Sequence, residues 1–207
     1  MGVIDQHIAG FQASALQEFA DRAPWELTRG STDIVGRLLA RLGEGYAVTD
    51  NVAVHPTAIV EHAAVIKGPA IIGPDCFIAA GAYVRGGCWL ESRCTLGPGS
   101  ELKSSFVFGG SKLAHFNFVG DSILGHDVNL EAGAIIANYR NERDAPAISF
   151  MHANTRIDTG VGKFGALVGD GARIGANAVI APGAFIAPGT IIGGLSLLDR
   201  GVGVSGS

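Results

Sequence analysis

The sequence predicts an all-β solenoid, a parallel β-helix wound from hexapeptide repeats. An apolar residue occurs at every sixth position through Val54, Val60, Ile66, Ile72, Ile78, Val84, Leu90, Leu96, Leu102, Phe108 and Ala114. A small residue follows four positions after each of the first eight, as Ala58, Ala64, Ala70, Cys76, Ala82, Cys88, Cys94 and Ser100. This spacing matches neither the helical period nor strand alternation. It is typical of a β-helix whose aliphatic column fills the interior and whose small column lets the chain turn corners.

The composition supports this fold class and excludes some functions. The 207 residues include 31 glycines and 47% apolar residues, which suits tight corners around an aliphatic core. Collagen is excluded because the sequence has no Gly-X-Y period. A formal net charge of −4 gives no reason to expect a nucleic-acid-binding surface.

The cysteines and the hydropathy pattern bear on the compartment. Cys76, Cys88 and Cys94 all fall in the small column, so we expect buried structural thiols rather than a disulfide or a zinc site. Free thiols suit a reducing compartment. The chain shows no basic-then-apolar leader, and no apolar run approaches the ~20 residues of a membrane span. We therefore expect a soluble cytoplasmic protein without membrane contact.

Residues 1–50 lack the hexapeptide pattern and are predicted to form a helical cap. Apolar residues recur there at helical spacing, as Ile4, Ile8, Phe11, Ala15, Leu16 and Phe19, and again as Ile34, Leu38, Leu39 and Leu42. Pro24 separates the two groups, Ser31 is a candidate N-cap, and Gly43 is a candidate helix stop. Two short helices would cover the open end of the solenoid. A docking arm for a partner domain is the alternative.

The repeat pattern is broken twice after Ala114. The next aliphatic start is Leu124, ten positions later, and a second break precedes Val168. The second break contains an insertion, residues 139–161, with the cations Arg140, Arg143 and Arg156. Because long insertions in repeat proteins tend to form loops on a binding face, we expect this one to project over the functional site. A solvated surface loop is the alternative. The β-helical domain would span residues 51–195, followed by a flexible tail, 196–207.

Paired residues near the first break carry a specific resemblance. They are Lys112 with His115, Gly120 with Asp121, Val128 with Asn129, Ala132 with Gly133, and Asn138 with Tyr139. Over residues 54–195 the chain resembles the left-handed β-helices of the hexapeptide acyltransferases. It is similar to the glucosamine-1-phosphate acetyltransferase domain of bifunctional bacterial enzymes and to the β-helical tails of related sugar-phosphate nucleotidyltransferases. Residues 1–50 show no Gly-rich nucleotide-binding pattern, so we do not expect them to form a nucleotidyltransferase domain.

The resemblance implies both an architecture and an activity. Three hexapeptides would form one left-handed coil, so that residues eighteen apart stack on one face. The protein would be a homotrimer with its active sites between neighbouring subunits. It would transfer an acetyl group from acetyl-CoA to the amine of an amino-sugar phosphate, with no metal.

Two cations are candidates for binding the phosphate of that acceptor. The resemblance aligns Arg85 and Lys103 with the family's phosphate-binding Arg and Lys. They are eighteen residues apart, so a three-sided coil would stack them. Arg offers a planar fork for two oxygens and Lys a point charge, which together make a suitable anion clamp. Two solvated, outward-facing cations are the alternative.

His115 is the candidate catalytic residue. An amine must be neutral when it attacks a thioester, and a histidine, with an unperturbed pKa of about 6.5, can accept the proton at neutral pH. No covalent intermediate is needed, so we expect no nucleophilic Cys or Ser. We interpret the other histidines of the chain as ordinary corner or loop residues.

Further residues acquire roles only from the resemblance. Phe118 and Asn129 would contact the acceptor sugar. Acetyl-CoA would be held by Ala132, Asn138, Tyr139, Ala176 and Gly194, with main-chain N–H groups stabilising the developing oxyanion. Arg200 would reach a phosphate of CoA.

The chain also departs from the family pattern. Phe118 replaces a usual Tyr, Glu131 replaces a usual Gly, and a loop Lys after Tyr139 is missing. The acceptor pocket therefore differs, and another amino or hydroxyl sugar is possible.

Two other function classes remain open. A γ-carbonic-anhydrase-type zinc enzyme shares the β-helix, but it needs two histidines five residues apart. Here His55 and His62 are seven apart, and His115 and His126 are eleven apart. The second class is a non-catalytic trimeric module that regulates or docks a separate sugar nucleotidyltransferase.

Overall fold

The computed structural model describes residues 2–144, 147–152 and 154–199, and it contains a three-sided parallel β-helix. Sheet 1 has eight strands: β1 Ala47–Thr49, β2 Val52–Val54, β5 Ala70–Ile72, β8 Cys88–Leu90, β11 Phe106–Val107, β14 Ile123–Leu124, β19 Ala166–Val168 and β22 Ala184–Ile186. Sheet 2 has seven: β3 Ile59–Val60, β6 Phe77–Ile78, β9 Thr95–Leu96, β12 Lys112–Leu113, β15 Asn129–Leu130, β20 Arg173–Ile174 and β23 Ile191–Ile192. Sheet 3 also has seven: β4 Val65–Ile66, β7 Tyr83–Arg85, β10 Glu101–Lys103, β13 Phe118–Gly120, β16 Ile135–Ile136, β21 Val179–Ile180 and β24 Leu197–Leu198.

The predicted fold class, a β-helix of hexapeptide repeats, is confirmed. Successive strands lie on sheets 1, 2 and 3 in turn, so three strands complete one coil. In the first coils, residues eighteen apart pair in parallel, for example Val52 with Ala70. The interior holds the aliphatic and small columns, including all three cysteines, which are buried and unpaired.

The predicted interruption after Ala114 is wrong, because the repeat continues and is only shortened by one residue at two places, before Val107 and before Leu124. In the middle coils, Trp89 pairs with Phe106, seventeen residues later. The interior column runs through Leu102, Val107, Leu113, Val119 and Leu124. Phe108 and Ala114 therefore do not belong to that column; Phe108 lies in a separate cluster outside the coil.

One corner of the coil explains the shortening. Between sheets 3 and 1 the chain turns through Gly86 and Gly87 in one coil, but through a single left-handed residue in the next two, Ser104 with φ 47° and Asp121 with φ 46°. Deleting one residue at the same corner in two coils moves the hexapeptide register without disturbing the stack of strands.

The N-terminal segment does not cap the open end of the solenoid. It contains helices α1, Pro24–Arg29, and α2, Ser31–Leu39, preceded by 3₁₀ turns at Phe11–Ala13 and Gln17–Phe19. Its apolar side chains pack on the outer face of sheet 1, where they form a cluster with Ala53, Ile71, Trp89, Phe106, Ile123, Leu167 and Phe185. From β5 to β22, sheet 1 is thus buried on both faces, whereas β1 is exposed, and the segment covers one side of the β-helix.

Pro24 begins α1 instead of separating two helices, since its fixed φ suits the first helical position. Ser31 is the first residue of α2 and not its cap. Its hydroxyl donates to the carbonyl of Gly86, 3.0 Å away, and so joins α2 to the corner between sheets 3 and 1. A Cβ on Gly87 would lie 2.5 Å from the Thr32 nitrogen, so this close approach requires glycine.

The insertion also differs from the predicted loop. It contains a hairpin of β17, Ser149–His152, and β18, Thr155–Asp158. Ile148 and Phe150, together with Phe164 just after the insertion, are buried in the cluster outside sheet 1, beside the N-terminal segment. Among its predicted cations, Arg156 pairs with Asp158 at 2.8 Å.

The solenoid continues beyond its predicted boundary at residue 195. Strand β24 pairs with β21, and the buried guanidinium of Arg140 donates to both carboxylate oxygens of Asp199, at 3.0 and 2.6 Å. These hydrogen bonds raise the pKa of Arg140. Residues 196–199 thus extend the β-helix, whereas Arg200 and the rest of the predicted tail lie outside the described residues. In the described part of the chain, no helix is long and apolar enough to cross a bilayer.

Candidate functional site

The sequence-predicted site residues lie mainly along two corners that border sheet 3. His115 stands at the corner between sheets 2 and 3, called here the His115 corner, just before β13. Lys103 stands at the end of β10, at the corner between sheets 3 and 1, called here the Lys103 corner. The outer face of sheet 3 lies between them.

The His115 corner forms a continuous column of main-chain turns. The Gly133 N–H donates to the His115 carbonyl at 2.9 Å, and the Asn177 N–H donates to the Ala132 carbonyl at 2.9 Å. The Leu195 N–H donates in turn to the Ala176 carbonyl at 2.8 Å. The structure therefore aligns His115, Ala132, Ala176 and Gly194 along one edge of the solenoid, in successive coils.

His115 is exposed. Its imidazole forms no hydrogen bond with residues 2–144, 147–152 or 154–199. The next residue, Phe116, is 72% exposed and adopts a left-handed φ of 52°. Its ring covers Gly99 of the preceding coil, where an added Cβ would lie 2.5 Å from a ring carbon. Sequence reasoning missed this exposed aromatic side chain because Phe116 falls in neither hexapeptide column.

The side chain of Glu131 accepts a hydrogen bond from one of the main-chain N–H groups in this column. Its carboxylate accepts the Ala176 N–H at 2.9 Å. A similar bond is found near the start of the solenoid, where Glu61 accepts the Ala80 N–H at 2.8 Å. The departure from the family's usual Gly thus has a structural consequence, since the Ala176 N–H is not free to meet a ligand.

The Lys103 corner holds a buried polar cluster. Lys103 Nζ lies 2.7 Å from Asp121 Oδ2, and the side chains of the two residues are 15% and 7% exposed. The Asn138 side-chain amide donates to the same Asp121 oxygen. A buried charge pair is maintained only when its remaining hydrogen-bonding capacity is satisfied, as Asn138 does here for the carboxylate.

Arg85 stacks on Lys103 in the adjacent coil, as the eighteen-residue spacing predicts. However, its guanidinium is engaged by Glu101, with Nε and Nη2 at 2.8 and 2.7 Å from Oε1. Each cation of the predicted clamp therefore faces a carboxylate, so the stacked pair carries little net positive charge.

Strand β13 connects the two corners across sheet 3. Phe118 is half-buried at its start, and Gly120 is buried at its end. A Cβ on Gly120 would lie 2.7 Å from Asn138 Nδ2 and 2.9 Å from the Phe118 ring. Glycine thus lets the aromatic ring and the amide converge over the strand. Asn129 lies on β15 of sheet 2, on the other side of the His115 corner from Phe118.

A cavity of about 530 Å³ opens beside the Lys103 corner. Helices α1 and α2, the corner itself and residues 160–163 surround it, and the lining residues are Thr28, Arg29, Ser31, Thr32, Lys103, Ser104, Asp121, Tyr139, Gly160, Val161, Gly162 and Lys163. Lys103 and Tyr139 are thus brought together, whereas Arg85 and His115 are not among the lining residues.

The three cysteine thiols differ in acidity, and the side chain of Cys94 lowers the pKa of Cys76. All three are buried, and burial raises the pKa of Cys88 to about 11. The Cys88 thiol is therefore protonated at neutral pH. Within the ranges that the structure describes, no three His, Cys, Asp or Glu side chains come together in a way that could hold a metal ion.

Comparison with known proteins relates the chain to nucleotide-sugar enzymes. A model of the family described as the GMPPB C-terminal domain matches residues 48–140. The bifunctional protein GlmU of Methanococcus maripaludis is 32% identical over 183 residues, which cover 86% of this chain and 44% of that protein. The predicted resemblance to bifunctional nucleotidyltransferase–acetyltransferase enzymes is confirmed.

A second relative is the bifunctional sugar-1-phosphate nucleotidylyltransferase/acetyltransferase of Sulfurisphaera tokodaii. It is 38% identical over 74 residues, which cover 36% of this chain and 18% of that protein. The chain thus spans less than half the length of either relative. Among solved structures, the N-acyltransferase AntD of Bacillus cereus, in complex with dTDP and coenzyme A, has a TM-score of 0.36 and 17% identity, covering 72% of this chain and 71% of that one.

Proposed function

We propose that the protein is an acyl-CoA-dependent N-acyltransferase that acetylates the amine of an amino-sugar phosphate. The observation that carries this proposal is the position of β13, which has the exposed His115 just before it and the Lys103–Asp121–Asn138 cluster at its end. An acceptor lying across sheet 3 would place its amine toward His115 and its phosphate toward Lys103.

In the proposed reaction, the acceptor nitrogen attacks the thioester carbonyl while the His115 imidazole removes a proton from that nitrogen. The new C–N bond forms, the C–S bond breaks, and the proton passes to the departing CoA sulfur. The Ala132 N–H donates to no group in the described part of the chain, so it supports a role in stabilising the oxyanion.

Acetyl-CoA would extend along the His115 corner past Ala176 and Gly194, and no metal is required. The Ala176 N–H becomes available to CoA only when Glu131 releases it. Asn138 and Tyr139 are turned toward the Lys103 corner, so in this proposal they contact the acceptor end of the site rather than the thioester.

We also propose a homotrimer located in the cytoplasm. Exposed apolar side chains lie on sheet 3 and on its edge: Val65, Phe116, Ile135, Leu195 and Leu197. Packing sheet 3 against a neighbouring subunit would bury them and enclose the face between the two corners. The three free buried thiols suit a reducing compartment.

A second candidate is a non-catalytic module that regulates or docks a separate sugar nucleotidyltransferase. Two observations favour this alternative. Carboxylates already pair with the cations Arg85 and Lys103, and Glu131 already accepts the Ala176 N–H, so fewer charges and donors remain free to bind a ligand. Acyl transfer is preferred because an exposed histidine beside a column of main-chain donors has no evident use in a passive module.

A direct assay separates the two candidates. The release of CoA thiol from acetyl-CoA is measured with glucosamine 1-phosphate, other amino-sugar phosphates and the unphosphorylated amino sugars. Acyl transfer predicts turnover with at least one phosphorylated amine. No thiol release with any acceptor, while the chain binds a sugar nucleotidyltransferase, would support the module instead.

A further inference from the structure

The cavity beside the Lys103 corner contains more positive charge than the predicted clamp. Arg29, Lys103 and Lys163 line it, and Asp121 is its only acidic lining residue within the described chain. Lys103 and Asp121 offset each other at 2.7 Å. Neither Arg29 nor Lys163 forms an ion pair with any described residue. The cations that line this cavity therefore exceed its carboxylates by two, and Arg29 also borders a neighbouring cavity that Glu26 and Asp33 line.

We infer that this cavity binds the phosphate monoester of the acceptor, through Arg29 and Lys163, with Lys103 at its base. The inference rests on the proposed acyltransferase function and identifies a phosphate site different from the stacked pair of Arg85 and Lys103. A phosphate monoester carries about −1.5 to −2 charge at neutral pH, which matches the excess of two cations over carboxylates in the lining.

The hydrogen bonds of Lys103 leave it able to contribute. Its Nζ donates to Asp121 at 2.7 Å and to the Ser104 hydroxyl at 3.3 Å. An ammonium has three donors, so one N–H remains for a ligand. Lys103 is held in place by Asp121, while Arg29 and Lys163 provide the charge that attracts the anion.

The hydroxyl groups of the cavity have a different role. Ser31, Thr32 and Ser104 all donate to the Gly86 carbonyl, at 3.0, 3.3 and 2.9 Å. A carbonyl oxygen has two lone pairs, so Gly86 fully engages at most two of these hydroxyl protons, and the oxygens of the engaged hydroxyls can still accept a hydrogen bond from a ligand. The engaged hydroxyls suit the hydroxyl groups of a sugar better than the oxygens of a phosphate. The arrangement therefore fits a phosphorylated sugar, with its hydroxyls toward α2 and its phosphate toward Arg29 and Lys163.

Arg85 is less suited than Arg29 or Lys163 to bind the phosphate of the acceptor. Glu101 accepts two of its guanidinium N–H groups, and its side chain does not line the cavity. The N-terminal segment and residues 160–163 would thus supply specificity that the repeat pattern of the β-helix does not contain.

Calorimetry on the full chain, without acyl-CoA, tests this site. The probes are inorganic phosphate, glucosamine 1-phosphate and unphosphorylated glucosamine. We expect the double variant Arg29→Ala, Lys163→Ala to weaken binding of glucosamine 1-phosphate by at least tenfold. Arg37→Ala, which removes an exposed cation of α2 outside the cavity, is the matched control and should bind as the unmodified chain does. Arg85→Ala should change affinity by less than twofold.

Three outcomes would overturn the inference: no binding of either phosphate at millimolar concentration, unchanged affinity in the double variant, or a large loss in Arg85→Ala alone. Thermal unfolding of each variant confirms that the fold is retained. Because these measurements need no acyl transfer, phosphate binding that depends on Arg29 and Lys163 in a chain without transferase activity would reject the proposed function and retain the site.

Discussion

Lys103 Nζ and Asp121 Oδ2 lie 2.7 Å apart at the corner between sheets 3 and 1, where the coil is one residue shorter than eighteen. The shortening stacks Lys103 on Gly120, which leaves Asp121 at the turn with its carboxylate beside the ammonium. The pair both positions the lysine and limits its positive charge.

Asp121→Asn should increase affinity for glucosamine 1-phosphate and reduce stability. The substitution removes the only acidic side chain lining the described cavity, but it leaves the largely buried Lys103 without a carboxylate. Losing a charge-assisted hydrogen bond costs about 1.5–3 kcal/mol, and the residual exposure of Lys103 argues for the lower end. Urea unfolding and calorimetry measure the two effects. Unchanged stability would mean that the pair does not order this corner.

Lys103→Ala should raise the KM for the phosphorylated acceptor and leave the KM for acetyl-CoA nearly unchanged. The lost contact corresponds to about 1.5–3 kcal/mol, or roughly 10- to 100-fold. Steady-state kinetics with each substrate varied in turn measures the difference. An equal loss for both substrates would indicate that Lys103 supports the fold and not the acceptor.

Glu131→Gly should lower the KM for acetyl-CoA, because it frees the Ala176 N–H for a ligand. A hydrogen bond contributes about 0.5–1.5 kcal/mol net, so the change should be roughly 2- to 10-fold. Glu61→Gly is the matched control, since it removes the same kind of bond, to Ala80, at the same corner near the start of the solenoid. Equal effects of both substitutions on the KM would exclude a specific role for the Ala176 N–H.

Ile135→Asp should prevent trimer formation. Ile135 is 36% exposed on the outer face of sheet 3, where the proposed interface would bury it and where a carboxylate would be desolvated. Sedimentation velocity at micromolar concentration should show a trimer for the unmodified chain and smaller species for the variant. A stable monomer of the unmodified chain would refute the proposed assembly.

The six-residue column was sufficient to predict the β-helix because Val84, Leu90 and Leu96 face the interior in successive strands. It could not show that sheet 1 is also buried outside, since that signal lies in the middle residues of its strands, such as Ile71 and Trp89. Reading those positions at a spacing of about eighteen would have predicted a covered face. The N-terminal segment was therefore assigned to the wrong surface.

The candidate site was only partly predictable for a related reason. The stacking of Arg85 on Lys103 follows from their eighteen-residue spacing, and it is observed in the structure. The carboxylates that pair with these cations do not follow from that spacing: Glu101 reaches Arg85 from two positions earlier in the adjacent strand, and Asp121 stands at the corner of a coil that is one residue short. The cavity is lined by Arg29, from the N-terminal segment, and by Lys163, just after the insertion, so its two further cations come to Lys103 from distant parts of the chain.

The pH dependence of acyl transfer in the unmodified chain and in His115→Ala tests the central claim most directly. His115 is exposed at a corner, so the variant should fold and assemble normally. Its kcat should fall by roughly 10²- to 10⁴-fold, the usual contribution of a general base. The unmodified enzyme should gain activity with rising pH along a limb that the variant lacks, while affinity for acetyl-CoA stays unchanged. An active His115→Ala variant with the same pH profile as the unmodified enzyme would contradict the mechanism.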